Sequence, residues 1–166
     1  MSESNDNSKI IADELCQFCQ SDSLSEEGLR KIIEKYGLMP NNDLHGNSDF
    51  NNYKFFFQAC INEGVTEDII QLLIKYFPHA PGTVVVGVTS LHVACSYNKN
   101  MTANIIQKLI EAAPDSVRHV DEIIGDLPIH TLCRSDGNEE VKQEALELLL
   151  DKYESLMLSV VPRNHD

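Results

Sequence analysis

A large apolar residue, two variable positions, a second apolar residue and a cysteine recur through this chain. The copies are Leu15-Cys16-Gln17-Phe18-Cys19, Phe56-Phe57-Gln58-Ala59-Cys60, Leu91-His92-Val93-Ala94-Cys95 and Ile129-His130-Thr131-Leu132-Cys133. The closing cysteines follow one another at intervals of roughly 35 to 41 residues, a spacing typical of stacked supersecondary repeats. A unit of that kind cannot bury its apolar face alone, so each copy needs the next one as its lid.

Apolar residues around each copy fall at helical spacing. Ile11, Leu15, Phe18 and Cys19 share one face, and Leu29, Ile32, Ile33 and Tyr36 share the next. Later units carry wider stripes: Ile69, Ile70, Leu73, Ile74 and Phe77, then Ile105, Ile106, Leu109, Ile110 and Ala113, then Ala145, Leu146, Leu149, Leu150 and Tyr153. A stripe that wide faces two neighbours. Helix starts are marked by Ser25, Thr66, Thr102 and Asn138, whose side chains can accept from first-turn N–H groups. Gly37, Pro78 and Pro114 mark stops. The Thr83–Val86 stretch is β-branched, and in a stack it predicts the extended arm of a hairpin rather than a sheet strand.

At Gly87-Val88-Thr89-Ser90-Leu91-His92-Val93-Ala94 and Gly125-Asp126-Leu127-Pro128-Ile129-His130 the chain resembles the ankyrin repeat, with its pattern G-x-T-P-L-H-x-A. Ser90 stands where proline is usual, and Leu127 where threonine is usual. The second unit departs further, with Asn52, Phe55 and Phe57 at the Gly, Pro and His positions. The first keeps only its apolar positions and the second-helix pattern. The resemblance implies an all-α, ankyrin-like helical-repeat solenoid of about four helix-turn-helix repeats linked by hairpin-like loops. Its repeats span about 10–50, 51–86, 87–124 and 125–161. A disordered acidic tail is expected at 1–9 and a second disordered tail at 162–166. The apolar run 156–161 is expected to fold back as a lid over the last repeat.

The resemblance also assigns roles. His92 and His130 are expected to bond backbone in a neighbouring loop and tie repeats together. Cys19, Cys60, Cys95 and Cys133 are expected to form a buried inter-repeat ladder of small apolar side chains. The residues left free to touch a partner are Gln58, Asn62, Val93, Ser96, Tyr97, Thr131, Arg134 and Ser135. Tyr and Arg are types enriched at interface hot spots.

Composition narrows function. The formal net charge is −13, which disfavours direct nucleic-acid binding, since phosphates need a basic face. Acidity is concentrated in the first 50 and last 66 residues, with a neutral middle, as end units facing water require. No apolar run approaches the ~20 residues of a membrane span, and Met1–Ser8 lacks the character of an export signal. The expectation is an intracellular monomer, in cytoplasm or nucleus, with its five cysteines reduced.

No metal or cofactor site is expected. Cys16 and Cys19 are spaced as C-x-x-C, but the other cysteines would stand ~10 Å apart in successive repeats and could not complete a zinc site. No phosphate loop, nucleophile elbow or H-E-x-x-H motif occurs. The sequence therefore points to a non-enzymatic protein-interaction module or adaptor that binds another protein through a concave face. The alternative is an acidic inhibitor covering a basic surface of an enzyme or nucleic-acid-binding protein.

Overall fold

The computed structural model describes residues 3–41, 53–96 and 98–160, and the chain there is all-helical. The helices are α1 (Glu3–Cys19), α2 (Glu26–Lys35), α3 (Lys54–Ile61), α4 (Glu67–Tyr76), α5 (Ser90–Ser96), α6 (Ala103–Ala112), α7 (Pro128–Arg134) and α8 (Glu139–Val160). Short 3-10 turns at Ala80–Gly82 and Pro114–Arg118 follow α4 and α6.

Local chemistry sets these bounds. The hydroxyls of Ser25, Thr66 and Thr102 accept from the N–H groups of Gly28, Ile69 and Ile105. Asn138 Oδ1 accepts from Glu140 and Val141 at the start of α8. Each bond satisfies a donor that a helix start leaves orphaned. Gly37 takes φ +59° just beyond α2, the left-handed geometry that favours glycine after a helix.

Packing follows chain order along two ranks. Helix α1 touches α3, α3 touches α5, and α5 touches α7; in the other rank α2 touches α4, α4 touches α6, and α6 touches α8. The stripes meet between the ranks in one apolar core, with Leu15, Leu29, Phe55, Phe56, Ile70, Leu73, Phe77, Leu91, Ile105, Ile106 and Leu109 essentially removed from water. Full burial of one such side chain contributes about 1.5–3 kcal/mol. Phe55 and Phe77 meet edge to face with ring centres 4.9 Å apart.

Polar ties cross the junctions. Asn62 Nδ2 donates to the carbonyls of Cys19 (3.0 Å) and Ser21 (2.8 Å) at the end of α1. Asn98 Nδ2 donates to the carbonyls of Cys60 (3.2 Å) and Asn62 (2.8 Å), at the corresponding place one helix pair later. Each amide spans one carbonyl in the last turn of a helix, which lacks an intrahelical partner, and one in the loop just beyond it. Asp136 stands two residues beyond α7, and a carboxylate there has no N–H to offer.

Several expectations need correction. Helix α1 begins at Glu3, where a disordered tail is expected through residue 9. The apolar stretch after Leu156 does not fold back: it continues α8 to Val160, leaving Met157 and Leu158 exposed. Cys19, Cys60 and Cys95 are buried, but Cys133 is exposed. The first three cysteines lie on α1, α3 and α5, each with a following helix of its own rank against it. Among the described residues α7 has no such neighbour beyond it, so Cys133 stays open to solvent. Residues 161–166, the 42–52 stretch with the expected boundary at 50 and 51, and Tyr97 lie outside the described residues.

Candidate functional site: a groove between hairpin tips and first-rank helices

Valines 85 and 88 exchange both main-chain hydrogen bonds, N–H of Val85 to O of Val88 at 2.8 Å and the reverse at 3.2 Å. Between them Val86 and Gly87 take φ +51° and +82°. Positive φ at both central residues is the two-residue hairpin turn that Asn-Gly normally fills. Gly87 suits it. Val86 does not, because a β-branched side chain in the left-handed region is strained by about 1–3 kcal/mol. Its side chain is nevertheless 78% exposed.

The next hairpin tip lies alongside. Asp121 N–H donates to the Asp126 carbonyl at 2.7 Å, and Asp121 Oδ1 accepts from Ile123 (2.7 Å) and Ile124 (3.1 Å). These two N–H groups hold the Asp121 carboxyl below the usual carboxylate range. The turn projects Ile123 and Ile124 outward, 71% and 61% exposed.

Two imidazoles lock the tips to the body. His92 Nδ1 accepts from the Thr89 N–H (3.3 Å) and lies 2.9 Å from its hydroxyl, so the ring proton sits on Nε2 and points at the Asp126 carbonyl, 3.1 Å away. His119 Nε2 reaches the Gly87 carbonyl at 3.1 Å, where the Glu122 N–H also donates at 3.2 Å. The two rings meet edge to face at 5.8 Å. Burial first, and His119 second, push the His92 imidazole down to about 4, so it is neutral near pH 7. His92 thus ties α5 to the next hairpin loop. His130 does not: its Nδ1 accepts from its own Leu127 N–H at 3.2 Å, and the ring is largely exposed. The expected inter-repeat role fails there because, among the described residues, no further hairpin lies beyond it.

Between the tips and the ends of α3, α5 and α7 runs an open groove of about 710 Å³. Its apolar lining is Phe57, Ile61, Val86, Val88, Val93, Ile123 and Ile124. Its polar lining is His92, Ser96, Asp121, Thr131, Arg134, Ser135 and Asp136. Five of the eight residues expected at a partner face therefore converge on one surface: Val93, Ser96, Thr131, Arg134 and Ser135. Val93 is buried and forms floor. The hydroxyls of Ser96, Thr131 and Ser135 donate back to the carbonyls of His92, Leu127 and Leu132. The Arg134 guanidinium is paired with Asp126.

Gln58 and Asn62 border a separate, smaller depression with Gln20, Asp22, Ile61, Glu63 and Gly64. Asn62 belongs to the framework, since its amide holds α1 to α3. What residue reading missed are the lips, Val86, Ile123 and Ile124, and the far wall, Phe57 and Ile61. The signal was present: an Ile-Ile pair and a valine sit at turns that polar residues ordinarily occupy.

Among the described residues no group of three or more His, Cys, Asp or Glu side chains is placed to hold a metal ion, and no helix is long and apolar enough to cross a membrane. No family model, no curated protein and no solved structure matches this chain.

Proposed function

We propose that this chain is a non-enzymatic protein-interaction module, an ankyrin-like solenoid of about four helix pairs that seats a segment of another protein in the groove. The observation that carries the reading is the exposure of Val86, Ile123 and Ile124 on two adjacent hairpin tips facing one apolar floor. Exposed branched side chains grouped around a concavity mark a surface that gains by being covered. Strain at Val86 supports it further, because a conformation that asparagine or glycine would adopt more cheaply is retained with an apolar side chain. The chain-order contacts of the two ranks and the paired amides of Asn62 and Asn98 support the repeat reading. So does the resemblance at Gly87–Ala94. An intracellular setting agrees with five unpaired cysteines.

The test is affinity capture with mass spectrometry, comparing the wild type with an Ile123→Ser/Ile124→Ser variant. Both positions are exposed, so the fold should survive. Proteins lost with the variant are groove partners; identical captured sets would sink the proposal. The second reading, an acidic inhibitor of a basic surface, rests on the −13 charge. It requires partner affinity to fall steeply with added salt, and a flat response would exclude it.

A further inference from the structure

We infer that the occupant of this groove is an apolar segment of a partner protein with a Lys or Arg at one end, its anchors over Phe57 and Ile61 and its cation beside Asp136. This rests on the interaction-module reading and deepens it.

Charge selects the chemistry. Three charged residues line the groove: Asp121, Arg134 and Asp136. The one cation among them, Arg134, is paired with Asp126, which is not itself a lining residue. Asp136 has no ion-pair partner among the described residues, and the nearby Lys142 is occupied by the Ser135 carbonyl and Glu139. The Asp121 carboxylate is buried and held by the Ile123 and Ile124 N–H groups, so Asp136 is the carboxylate the groove shows to an incoming segment. A cation on that segment is attracted, and an acidic or phosphate-bearing group is repelled. The same argument disfavours a second copy as occupant, because two chains at −13 repel one another.

Position selects the direction. Helices α3, α5 and α7 lie in that order across the groove. Phe57 and Ile61 sit on α3, Val93 on α5, and Asp136 just beyond α7. The α3 side is purely apolar, and the uncompensated charge is at the α7 side. The lips Val86, Ile123 and Ile124 line the groove from the two hairpin tips.

A phage-displayed library of random 12-residue peptides, selected on the purified full chain, tests this directly. Enriched peptides are synthesised with a fluorescein label and titrated by anisotropy. Apolar anchors with Lys or Arg on one side only are expected. Asp136→Lys should weaken such a peptide about tenfold or more, and replacing the peptide's cation by Glu should recover the loss on that variant. Ile123→Ser/Ile124→Ser should weaken every selected peptide regardless of charge.

Selection of apolar peptides with no charge preference, or with acidic flanks, would overturn the inference and leave the groove reading standing. Failure to select any peptide, or equal binding to the Ile123→Ser/Ile124→Ser chain, would overturn both. A dimer in light scattering that this double variant abolishes would assign the groove to a second copy and overturn the inference.

Discussion

Asn98 donates its side-chain amide to the main-chain carbonyl of Asn62 across 2.8 Å, and Asn62 makes the same kind of bond to Ser21 one helix pair earlier. The two amides are framework, and they differ in depth. Asn98 is buried and Asn62 only half-buried. Removing Asn98 orphans the buried Cys60 carbonyl and leaves the Asn62 carbonyl to the Val65 N–H alone, which costs about 2 kcal/mol. Asn98→Ala should lower stability by that amount in urea unfolding, and Asn62→Ala by about 1–2 kcal/mol. Equal and negligible effects would show that water replaces both amides freely.

Val86 separates stability from binding. Val86→Asn places a residue that tolerates positive φ in the same turn. Thermal unfolding should rise by a few degrees, matching about 1 kcal/mol for a domain of this size. Affinity for a groove-bound peptide should fall, because an apolar lip is gone. A variant both less stable and equally tight would contradict the strain argument and the groove argument together.

His92 makes stability depend on acid. An imidazole ordinarily titrates near 6.5, and in the folded chain burial lowers this one to about 4. The folded state thus binds the proton less readily than the unfolded state. The stability present above pH 6.5 is lost as pH falls from 6.5 towards 4, up to about 3 kcal/mol. Urea midpoints should drop across that window in the wild type. A His92→Gln variant, weaker at pH 7, should give a flatter profile. Parallel profiles would assign the acid sensitivity elsewhere.

The thiols should divide by exposure. Cys133 is exposed and Cys16 half-buried, whereas burial pushes Cys19 and Cys95 up to about 12 and raises Cys60 further still. A thiolate is the reactive species. A disulfide reagent at pH 8 should label Cys133 first and Cys16 more slowly, since burial raises that thiol too. The other three should react only on unfolding. Mass mapping of the labelled peptides checks the order.

Much of this was readable in residue order, and the reasons it stopped are physical. Ser25, Thr66, Thr102 and Asn138 act within one turn of themselves, and all four cap as their residue types predict. The stripes of α4 and α6 are buried as their spacing requires, except Ile74 and Ala113, which are half-buried. Cys133, His130 and the far part of α8 fail for a common reason: their environment depends on what lies beyond the last pair, and a local motif carries no count of its neighbours. The framework role of Asn62 is not legible because a half-buried amide near a helix end can face water or a carbonyl with the same local sequence. The lips escaped because Val86, Ile123 and Ile124 come together only through ties about 30 residues long in sequence, His92 to Asp126 and His119 to Gly87.

Those two imidazole ties set a further condition on anything the groove accepts. His92 on α5 grips the loop ahead of α7, and His119 after α6 grips the loop ahead of α5, so the distance between the lips is fixed at the seam where the two hairpin loops meet. A ligand touching both lips must clamp that seam. Its binding should therefore slow amide exchange in α5 and α7 together, including at backbone positions it never contacts.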